Sequence, residues 1–319
     1  MQAISCFYHP TTIVLIDDNV DFLNNLMLSI SPYYRCLPFF SPQQAQEFLQ
    51  KNHEKHSSEN YLKLAYSTPA LQVEIKLEDI YQQVFNRHRF DQTVICVVDY
   101  DMPEIDGLAL AKTLKNTLPI KVIMLTGEAD HSTAVRAFNQ NVIDSFVLKS
   151  ALDYPQQLLS YFAQLQQAYF LSSSTSILES LTSQPQHPLQ DQDFIVLFQQ
   201  LCLEHQIIEY YLVDESGSFL LLDAAGNKFW LMVRTEADMQ TCADLAESDD
   251  MPELAQSFVS HQKIASFPNP QEQFSPAKTW RVSNAIQLKN KPIYYCLLKN
   301  EENYALNREI VSYADFLQF

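Results

Sequence analysis

The stretch Thr93-Val94-Ile95-Cys96-Val97-Val98-Asp99-Tyr100-Asp101-Met102-Pro103-Glu104-Ile105-Asp106-Gly107 decides the fold of the first half of this chain. Its opening residues are apolar or β-branched, and the carboxylate of Asp99 follows them directly. A short, almost wholly apolar run is typical of a central parallel strand that helices cover on both faces. The Met102-Pro103 turn and Gly107 look like backbone requirements of the loop after that strand. The stretch therefore predicts a buried strand whose carboxyl end presents an aspartate.

Further runs of the first half alternate in the same way between short apolar segments and amphipathic ones. We predict strands near 12–17, 34–39, 93–98, 121–126 and 144–149, and helices near 20–30, 43–52, 107–117, 130–140 and from 155 onward. This alternation predicts an α/β fold with a doubly wound parallel sheet of five strands. Ligands bind such sheets at the carboxyl ends of the strands. Those ends carry Asp17 and Asp18, Asp99, Thr126 and Lys149, so we expect these side chains to converge.

These strand ends match the motifs of a known family. Residues from about 11 to 165 resemble the receiver domain of two-component response regulators, the CheY-like superfamily. The resemblance rests on Ile16-Asp17-Asp18, Val98-Asp99 through Gly107, Leu125-Thr126-Gly127 and Leu148-Lys149, in this order. It implies a flavodoxin-like receiver in a phosphorelay. It also implies that a sensor histidine kinase or a phosphotransfer protein is the partner that phosphorylates this chain.

The resemblance implies a role for each strand-end residue. Asp99 is the phosphoacceptor that forms an aspartyl phosphate, and Thr126 and Lys149 contact the phosphate as the other catalytic residues. Phosphoryl transfer to a carboxylate brings two anions together, so the site must gather positive charge. The cofactor is then Mg²⁺, a hard cation that prefers oxygen ligands. Its expected ligands are Asp17, Asp18, Asp99 and the backbone carbonyl of Asp101.

The resemblance also implies two switch residues, and this sequence differs from the family pattern in three respects. Thr126 and the aromatic residue Phe146 are the expected switch residues. Ser150 follows Lys149 where the family usually has proline, which affects the orientation of the lysine. The spacing between Asp18 and Asp99 is nearly double the usual one. The carboxylate of Asp101 either tightens metal binding or hinders the approach of the phosphodonor.

An insertion at about 53–92 accounts for the long spacing. Apolar residues at 77, 80, 81, 84 and 85 predict a helix in it that packs on the receiver or on a second subunit. A second apolar stripe follows the fifth strand at Leu158, Phe162, Leu165 and Tyr169. Core packing against the sheet explains part of that stripe, and a coiled-coil dimer is the alternative. A homodimer is also expected.

Composition and the Ser-rich segment after the fifth helix divide the chain. We predict a receiver domain over 1–171, a linker over 172–190 and an α+β output domain with an antiparallel sheet over 191–319. In the second half, helices are predicted near 194–203, 236–247, 252–262 and 306–318, and strands near 207–213, 219–222, 229–233, 280–286 and 293–298. Short turns that contain Gly217 and Gly226 favour a meander of neighbouring strands.

The composition excludes several classes of protein. The formal net charge of −17 over 319 residues opposes binding to nucleic acid, which depends on Lys and Arg. No apolar run is long enough to span a bilayer and no signal peptide is apparent, so we expect a cytoplasmic protein without a membrane partner. The six cysteines form no Cys-x-x-Cys pair, which indicates reduced side chains and neither a zinc site nor a disulfide framework.

The second half carries no recognisable output motif and no evident enzymatic signature. Our leading interpretation is a protein-interaction or dimerisation output that the receiver controls. The alternative is a domain that binds a small molecule or nucleotide, either a PAS-like sensor or a nucleotide-related enzyme. Its aromatic residues would then line a pocket, although such residues more often fill a core; they are Tyr210, Tyr211, Phe229, Trp230 and Tyr294. The overall layout resembles quorum-sensing response regulators of the LqsR kind.

Overall fold

The structure is a computed structural model that describes residues 3–56, 62–67, 70–103, 105–127, 131–182, 187–267, 275–299 and 309–318. Its contacts divide the chain into two compact units. The parallel unit comprises Pro10–Asn60, Arg87–Ser172 and Asp315–Phe319. The antiparallel unit comprises Met1–His9, Tyr61–Asn86 and Ser173–Ala314. This grouping differs from the predicted domain division, because the first nine residues and much of the insertion belong with the C-terminal half.

The helices and strands are numbered in chain order. The helices are α1 (Val20–Ile30), α2 (Pro42–His56), α3 (Leu77–Tyr81), α4 (Gly107–Thr117), α5 (His131–Asn139), α6 (Tyr154–Leu181), α7 (Gln192–Glu204), α8 (Glu236–Ser248), α9 (Pro252–Val259) and α10 (Tyr313–Phe316). The strands are β1 (Phe7–Tyr8), β2 (Thr12–Ile16), β3 (Cys36–Phe39), β4 (Leu62–Ser67), β5 (Ala70–Ile75), β6 (Thr93–Asp99), β7 (Lys121–Thr126), β8 (Ser145–Leu148), β9 (Ile207–Leu212), β10 (Phe219–Asp223), β11 (Lys228–Thr235), β12 (Lys263–Ser266), β13 (Arg281–Asn284), β14 (Ile286–Gln287) and β15 (Ile293–Lys299).

The parallel unit contains a five-stranded sheet in the order β3-β2-β6-β7-β8. Every neighbouring pair of its strands is parallel. Because β2 and β6 are almost wholly apolar, they bury both faces. Side chains of α1 and α6 pack on one face, and side chains of α2, α4 and α5 pack on the other. The predicted doubly wound, flavodoxin-like sheet is confirmed, and its strand order is that of the flavodoxin-like class.

The antiparallel unit contains a six-stranded sheet in the order β1-β9-β10-β11-β15-β14. The consecutive strands β9, β10 and β11 form the predicted meander. Gly217 and Gly226 in its turns have positive φ angles of 95° and 80°, which explains why glycine stands there. The sequence did not predict β1, which pairs antiparallel with β9 across about two hundred residues of chain and adds the edge strand.

The insertion differs from its prediction. The helical stripe forms α3 and then a 3₁₀ turn over Gln82–Phe85, and a hairpin of β4 and β5 precedes it. The prediction that this helix packs on the receiver is wrong, because α3 contacts β9 within the antiparallel unit and buries Ile80 and Tyr81. The alternate apolar and polar residues of 62–67 and 70–75 were the signal for the missed hairpin.

The predicted linker over 172–190 is also corrected. Helix α6 continues through the Ser-rich segment to Leu181, because that segment has buried positions of its own. Ile177 is buried, and the hydroxyl of buried Ser174 accepts a hydrogen bond from the Cys6 N–H at 2.9 Å. Residues 183–186 of the predicted linker lie outside the described residues, as do 306–308 of the predicted last helix, of which Tyr313–Phe316 is helical.

Two sets of residues, for which the sequence allowed either core packing or another role, lie in the cores of the two units. Leu158 and Phe162 are buried between α6 and the parallel sheet, and Leu165 and Tyr169 pack against the same cluster. This stripe therefore gives no support to a coiled coil, and the homodimer stays a prediction. Most of the aromatic set of the second half is buried in its unit: Tyr211, Phe229, Trp230 and Tyr294. None of the described helices combines the length and apolar character that crossing a bilayer requires.

Candidate functional site

Three carboxylates meet at the carboxyl ends of β2 and β6. Asp17 follows β2 directly, Asp99 ends β6, and the two strands are paired so that Ile16 lies opposite Val98. Each of Asp17, Asp18 and Asp99 offers an oxygen, and these oxygens lie within 4.8 Å of one another. Asp17 and Asp99 are buried, whereas Asp18 is exposed. Clustered carboxylate oxygens with one open side fit a hard divalent cation that keeps several waters.

Lys149 connects two of these carboxylates. Its Nζ lies 2.7 Å from Oδ2 of Asp17 and 2.9 Å from Oδ1 of Asp99. The same ammonium lies 4.5 Å from the centre of the Phe22 ring. The Lys149 N–H donates to the carbonyl of Thr126 at 3.0 Å, which fixes the backbone just beyond β8. A buried carboxylate requires such a partner, since an unpaired charge in the interior is costly.

The surroundings shift the pKa values of this pair. Burial raises the pKa of Asp99, the hydrogen bond from Lys149 opposes this effect, and the neighbouring charge of Asp17 adds to it. For Lys149, burial lowers the pKa, but the hydrogen bonds to Asp17 and Asp99 outweigh burial and the net shift is upward. The ammonium is therefore held in its charged form between two carboxylates.

The start of α1 fixes the orientation of Asp17. One carboxylate oxygen accepts a hydrogen bond from the Asn19 N–H at 2.8 Å, while the other accepts from Lys149. The Asn19 side chain in turn caps α1 by accepting from the Phe22 N–H at 3.0 Å. Asn19 and Phe22 were not among the site residues predicted from the sequence. The signal for Asn19 was an N-cap residue directly before an amphipathic run.

The loop after Asp99 depends on a close approach of two backbone segments. A β-carbon placed on Gly107 would lie 2.0 Å from the Asp99 carbonyl oxygen and 2.9 Å from the Tyr100 α-carbon. The Gly107 N–H donates to the Tyr100 carbonyl at 3.0 Å, and the Asp106 side chain caps α4 by accepting from the Leu108 N–H at 2.8 Å. Gly107 is thus required because the backbone has no room for a side chain there.

The two expected switch residues lie on neighbouring strands. Thr126 ends β7 and is buried, and its hydroxyl donates to the Gly127 carbonyl at 3.2 Å. Phe146 on β8 is half-buried, and its ring lies 5.4 Å from that of His131 and 6.4 Å from that of Phe138, both on α5. Residues 128–130, which connect Thr126 to α5, lie outside the described residues.

The structure thus brings four predicted residues into direct proximity: Asp17, Asp18, Asp99 and Lys149. Thr126 stands at the end of the adjoining strand, since β6 and β7 pair with Asp99 opposite Leu125. Asp101 is exposed in the loop after β6, and its carboxylate is not a member of the carboxylate cluster found among the described residues.

Comparisons with known proteins agree with this geometry. The family model of the response regulator receiver domain matches residues 61–160. No match was found among curated proteins. The solved structure of the Legionella pneumophila response regulator LqsR is similar at 30% sequence identity and a TM-score of 0.74, and the match covers 99% of this chain and 95% of that one.

Isolated receiver domains are also similar to part of the chain. A receiver domain protein from Clostridium thermocellum matches at 16% identity and a TM-score of 0.34, over 49% of this chain and 94% of that one. A CheY-like receiver domain protein from Methanospirillum hungatei matches at 15% identity and a TM-score of 0.33, over 50% of this chain and 96% of that one. On the strength of its near-complete match to the Legionella protein, this chain belongs to the response regulator family.

Proposed function

We propose that this chain is a phosphorelay response regulator that accepts a phosphoryl group on Asp99. The observation that supports this proposal is the bridge of Lys149 between Asp17 and Asp99, beside three clustered carboxylates. The proposal uses Asp99 as the nucleophile, Lys149 as the cation that contacts it, and the three clustered carboxylates as the metal site. The same residues are those that receiver domains use for phosphorylation.

The transfer follows from these groups. A carboxylate oxygen of Asp99 attacks the phosphorus of a phosphohistidine, a phosphorus–oxygen bond forms, and the phosphorus–nitrogen bond breaks as the imidazole leaves. Lys149 exchanges its hydrogen bond to Asp99 for one to a phosphate oxygen, and the Thr126 hydroxyl donates to another. Asp17, Asp18, Asp99 and the Asp101 carbonyl would hold Mg²⁺, which would supply positive charge near the transferred group.

The response to phosphorylation is proposed to begin at Thr126. Its hydroxyl donates to the adjacent Gly127 carbonyl at 3.2 Å, which is longer than a strong O–H···O hydrogen bond. A shorter bond to a phosphate oxygen could therefore replace it. Movement of this strand end would free space beside Phe146, whose ring now lies against His131 of α5. The rotation of Phe146 would then carry the signal to α5 and β8.

The proposed partners follow from the receiver. A sensor histidine kinase or a phosphotransfer protein supplies the phosphoryl group in the cytoplasm, and the antiparallel unit acts as the output through a downstream protein or a homodimer. A role in quorum sensing is proposed from the layout shared with LqsR. Burial of Tyr211, Trp230 and Tyr294 favours this interaction output over a ligand pocket lined by those rings.

Incubation with acetyl phosphate and Mg²⁺, followed by intact-mass measurement, tests the proposal. We expect one added phosphate on the wild-type chain and none on Asp99→Asn. Asp153→Asn is the matched control, because it removes an exposed carboxylate of the same unit that lies outside the carboxylate cluster and should still be labelled. Equal labelling of Asp99→Asn and the wild type would refute Asp99 as the acceptor.

A further inference from the structure

A cavity lies at the amino-terminal end of the parallel sheet, opposite the edge that carries Asp99. Its volume is about 330 Å³, within the range of sites for small ligands. Arg35, directly before β3, contributes to its lining, as do Asp91 before β6 and Lys51 and Lys55 in the last turns of α2. All of these residues belong to the parallel unit.

The cavity concentrates positive charge in an acidic protein. The chain has 21 Lys and Arg against 38 Asp and Glu, yet Arg35, Lys51 and Lys55 line this cavity. Among the described residues of its lining, Asp91 is the one acidic residue. Asp91 is engaged by His88 at 2.8 Å and by Lys55 at 3.9 Å. Within the described part of the chain, neither the Arg35 guanidinium nor the Lys51 ammonium has a hydrogen-bonding or ion-pair partner. The excess of positive charge therefore suits a dianion.

The guanidinium of Arg35 is held in place without using its hydrogen-bond donors. It lies 4.9 Å from the centre of the Phe316 ring, a cation–π contact that stabilises its position. The N–H groups of a guanidinium match the oxygens of a phosphate in a two-point contact. Arg35 thus provides a fixed group for an anion rather than a freely moving side chain.

The other side of the cavity is apolar, so it would add contacts for a ligand with an apolar part that inorganic phosphate lacks. Leu37 and Phe48 give the cavity an apolar side, and the Phe48 ring packs 5.1 Å from that of Phe39. The polar residues there are already engaged. Thr12 donates its hydroxyl to the Phe90 carbonyl at 2.8 Å, and Asn52 donates to the Asp91 carbonyl and accepts from the Thr93 N–H. Recognition would therefore combine cations with an apolar surface.

We propose that this cavity binds a small phosphate monoester with an aromatic or other apolar body, at a site separate from Asp99. The phosphate oxygens contact Arg35 and Lys51, with Lys55 at the rim, and the apolar body packs on Leu37 and Phe48. Since α2 begins beside the carboxyl end of β3 and ends at this cavity, the ligand contacts one of the helices that cover the receiver sheet.

Isothermal titration calorimetry of the full chain in the presence of EDTA tests the site without the contribution of a metal. The probes are phenyl phosphate, inorganic phosphate and phenol. We expect phenyl phosphate to bind more tightly than either of the other two. Lys51→Gln and Arg35→Gln should each weaken its binding roughly tenfold, the usual effect of losing one hydrogen bond to a charged group.

The controls separate this site from the phosphorylation site and from general charge. Lys112→Gln removes an exposed lysine of α4 and should leave binding unchanged, as should Asp99→Asn. Lys51 is itself exposed on α2, so Lys51→Gln keeps the fold even if Arg35→Gln disturbs the contact with Phe316. The proposal is overturned if phenyl phosphate does not bind, if Lys51→Gln binds it as well as wild type, or if inorganic phosphate binds equally tightly. Much tighter binding of a phosphotyrosine peptide would assign the surface to a protein partner instead.

Discussion

Gly107 lies so close to Asp99 that a β-carbon at position 107 would stand 2.0 Å from the Asp99 carbonyl oxygen. Gly107→Ala must therefore displace either the start of α4 or the end of β6. We expect a loss of about 1 to 3 kcal/mol in the free energy of unfolding, the usual cost of overpacking. Because the displaced backbone carries Asp99, the proposed phosphoacceptor, labelling by acetyl phosphate should slow as well. Urea unfolding and intact-mass measurement check the two effects.

Gly217→Ala is the matched control for that variant. Gly217 has a φ of 95°, and its nearest neighbour would be 3.6 Å from an added β-carbon, so strain arises there without a collision. This variant should be less stable yet labelled at the wild-type rate, since it lies in the antiparallel unit. Wild-type stability and labelling of Gly107→Ala would contradict the prediction, because they would mean that the loop accommodates a β-carbon at position 107.

Lys149→Met removes the ammonium between Asp17 and Asp99 and retains an apolar stem. We expect the free energy of unfolding to fall by about 1 to 3 kcal/mol, less than for a fully buried pair because 27% of the lysine side chain is exposed. Mg²⁺ should then raise the melting temperature of the variant more than that of wild type, since a cation bound to the folded state stabilises it and the carboxylates have lost their ammonium. Thermal melts with and without Mg²⁺ measure this.

Lys112→Met serves as the reference in those melts, because it removes an exposed lysine that is far along α4 from the carboxylates. It should respond to Mg²⁺ as wild type does. No rise in melting temperature with Mg²⁺ in any of the three proteins would contradict a metal site at Asp17, Asp18 and Asp99, and equal rises would contradict competition between Lys149 and the cation.

Asn52 joins α2 to the segment that precedes β6. Its side chain donates to the Asp91 carbonyl at 2.8 Å and accepts from the Thr93 N–H at 2.9 Å. Asn52→Ala leaves these partly buried backbone groups unsatisfied, so we expect a loss of about 1 to 3 kcal/mol in chemical denaturation. Gln50→Ala, on the exposed face of the same helix, should change stability little. A neutral effect of Asn52→Ala would mean that water replaces both bonds.

Alkaline pH should destabilise the protein through its thiols. Burial raises the pKa values of Cys6, Cys36 and Cys202 from 9.0 to about 12. The unfolded chain therefore loses these protons first, so the stability they contribute is present below about pH 9 and is lost as the pH rises toward 12. Urea unfolding at about pH 8 and about pH 10 should show this decline. Cys36→Val should reduce the decline, and an unchanged slope would contradict the assignment.

Much of the parallel unit and its site could be predicted from local sequence. The apolar strands end in polar or charged residues, and parallel pairing brings those ends to one edge, so Asp17, Asp99 and Lys149 converge as predicted. The predicted and observed bounds of the five parallel strands agree to within about two residues, because Asp, Thr or Lys interrupts the apolar runs at the strand ends. The resemblance to receivers then supplied the roles that spacing alone cannot give.

The remaining features depend on distant partners. Nothing near Phe7 indicates that it pairs with Tyr211, because such pairing has no local period to detect. The Ser-rich segment reads as a linker until Ser174 is seen buried against the Cys6 backbone, where tertiary contacts override propensity. The Lys149 contact with Phe22 likewise follows from packing rather than from any motif.

The strand Phe7–Tyr8 at the rim of the six-stranded sheet has a practical consequence for anyone dividing this protein. Each unit is built from three segments, and the segments of the two units alternate along the chain. No single cut in the backbone therefore separates two complete units. A fragment that begins after residue 190 would lack β1 and α3, and would expose the β9 edge to aggregation. The complete chain is therefore the smallest expression unit that keeps every strand and helix of both units together.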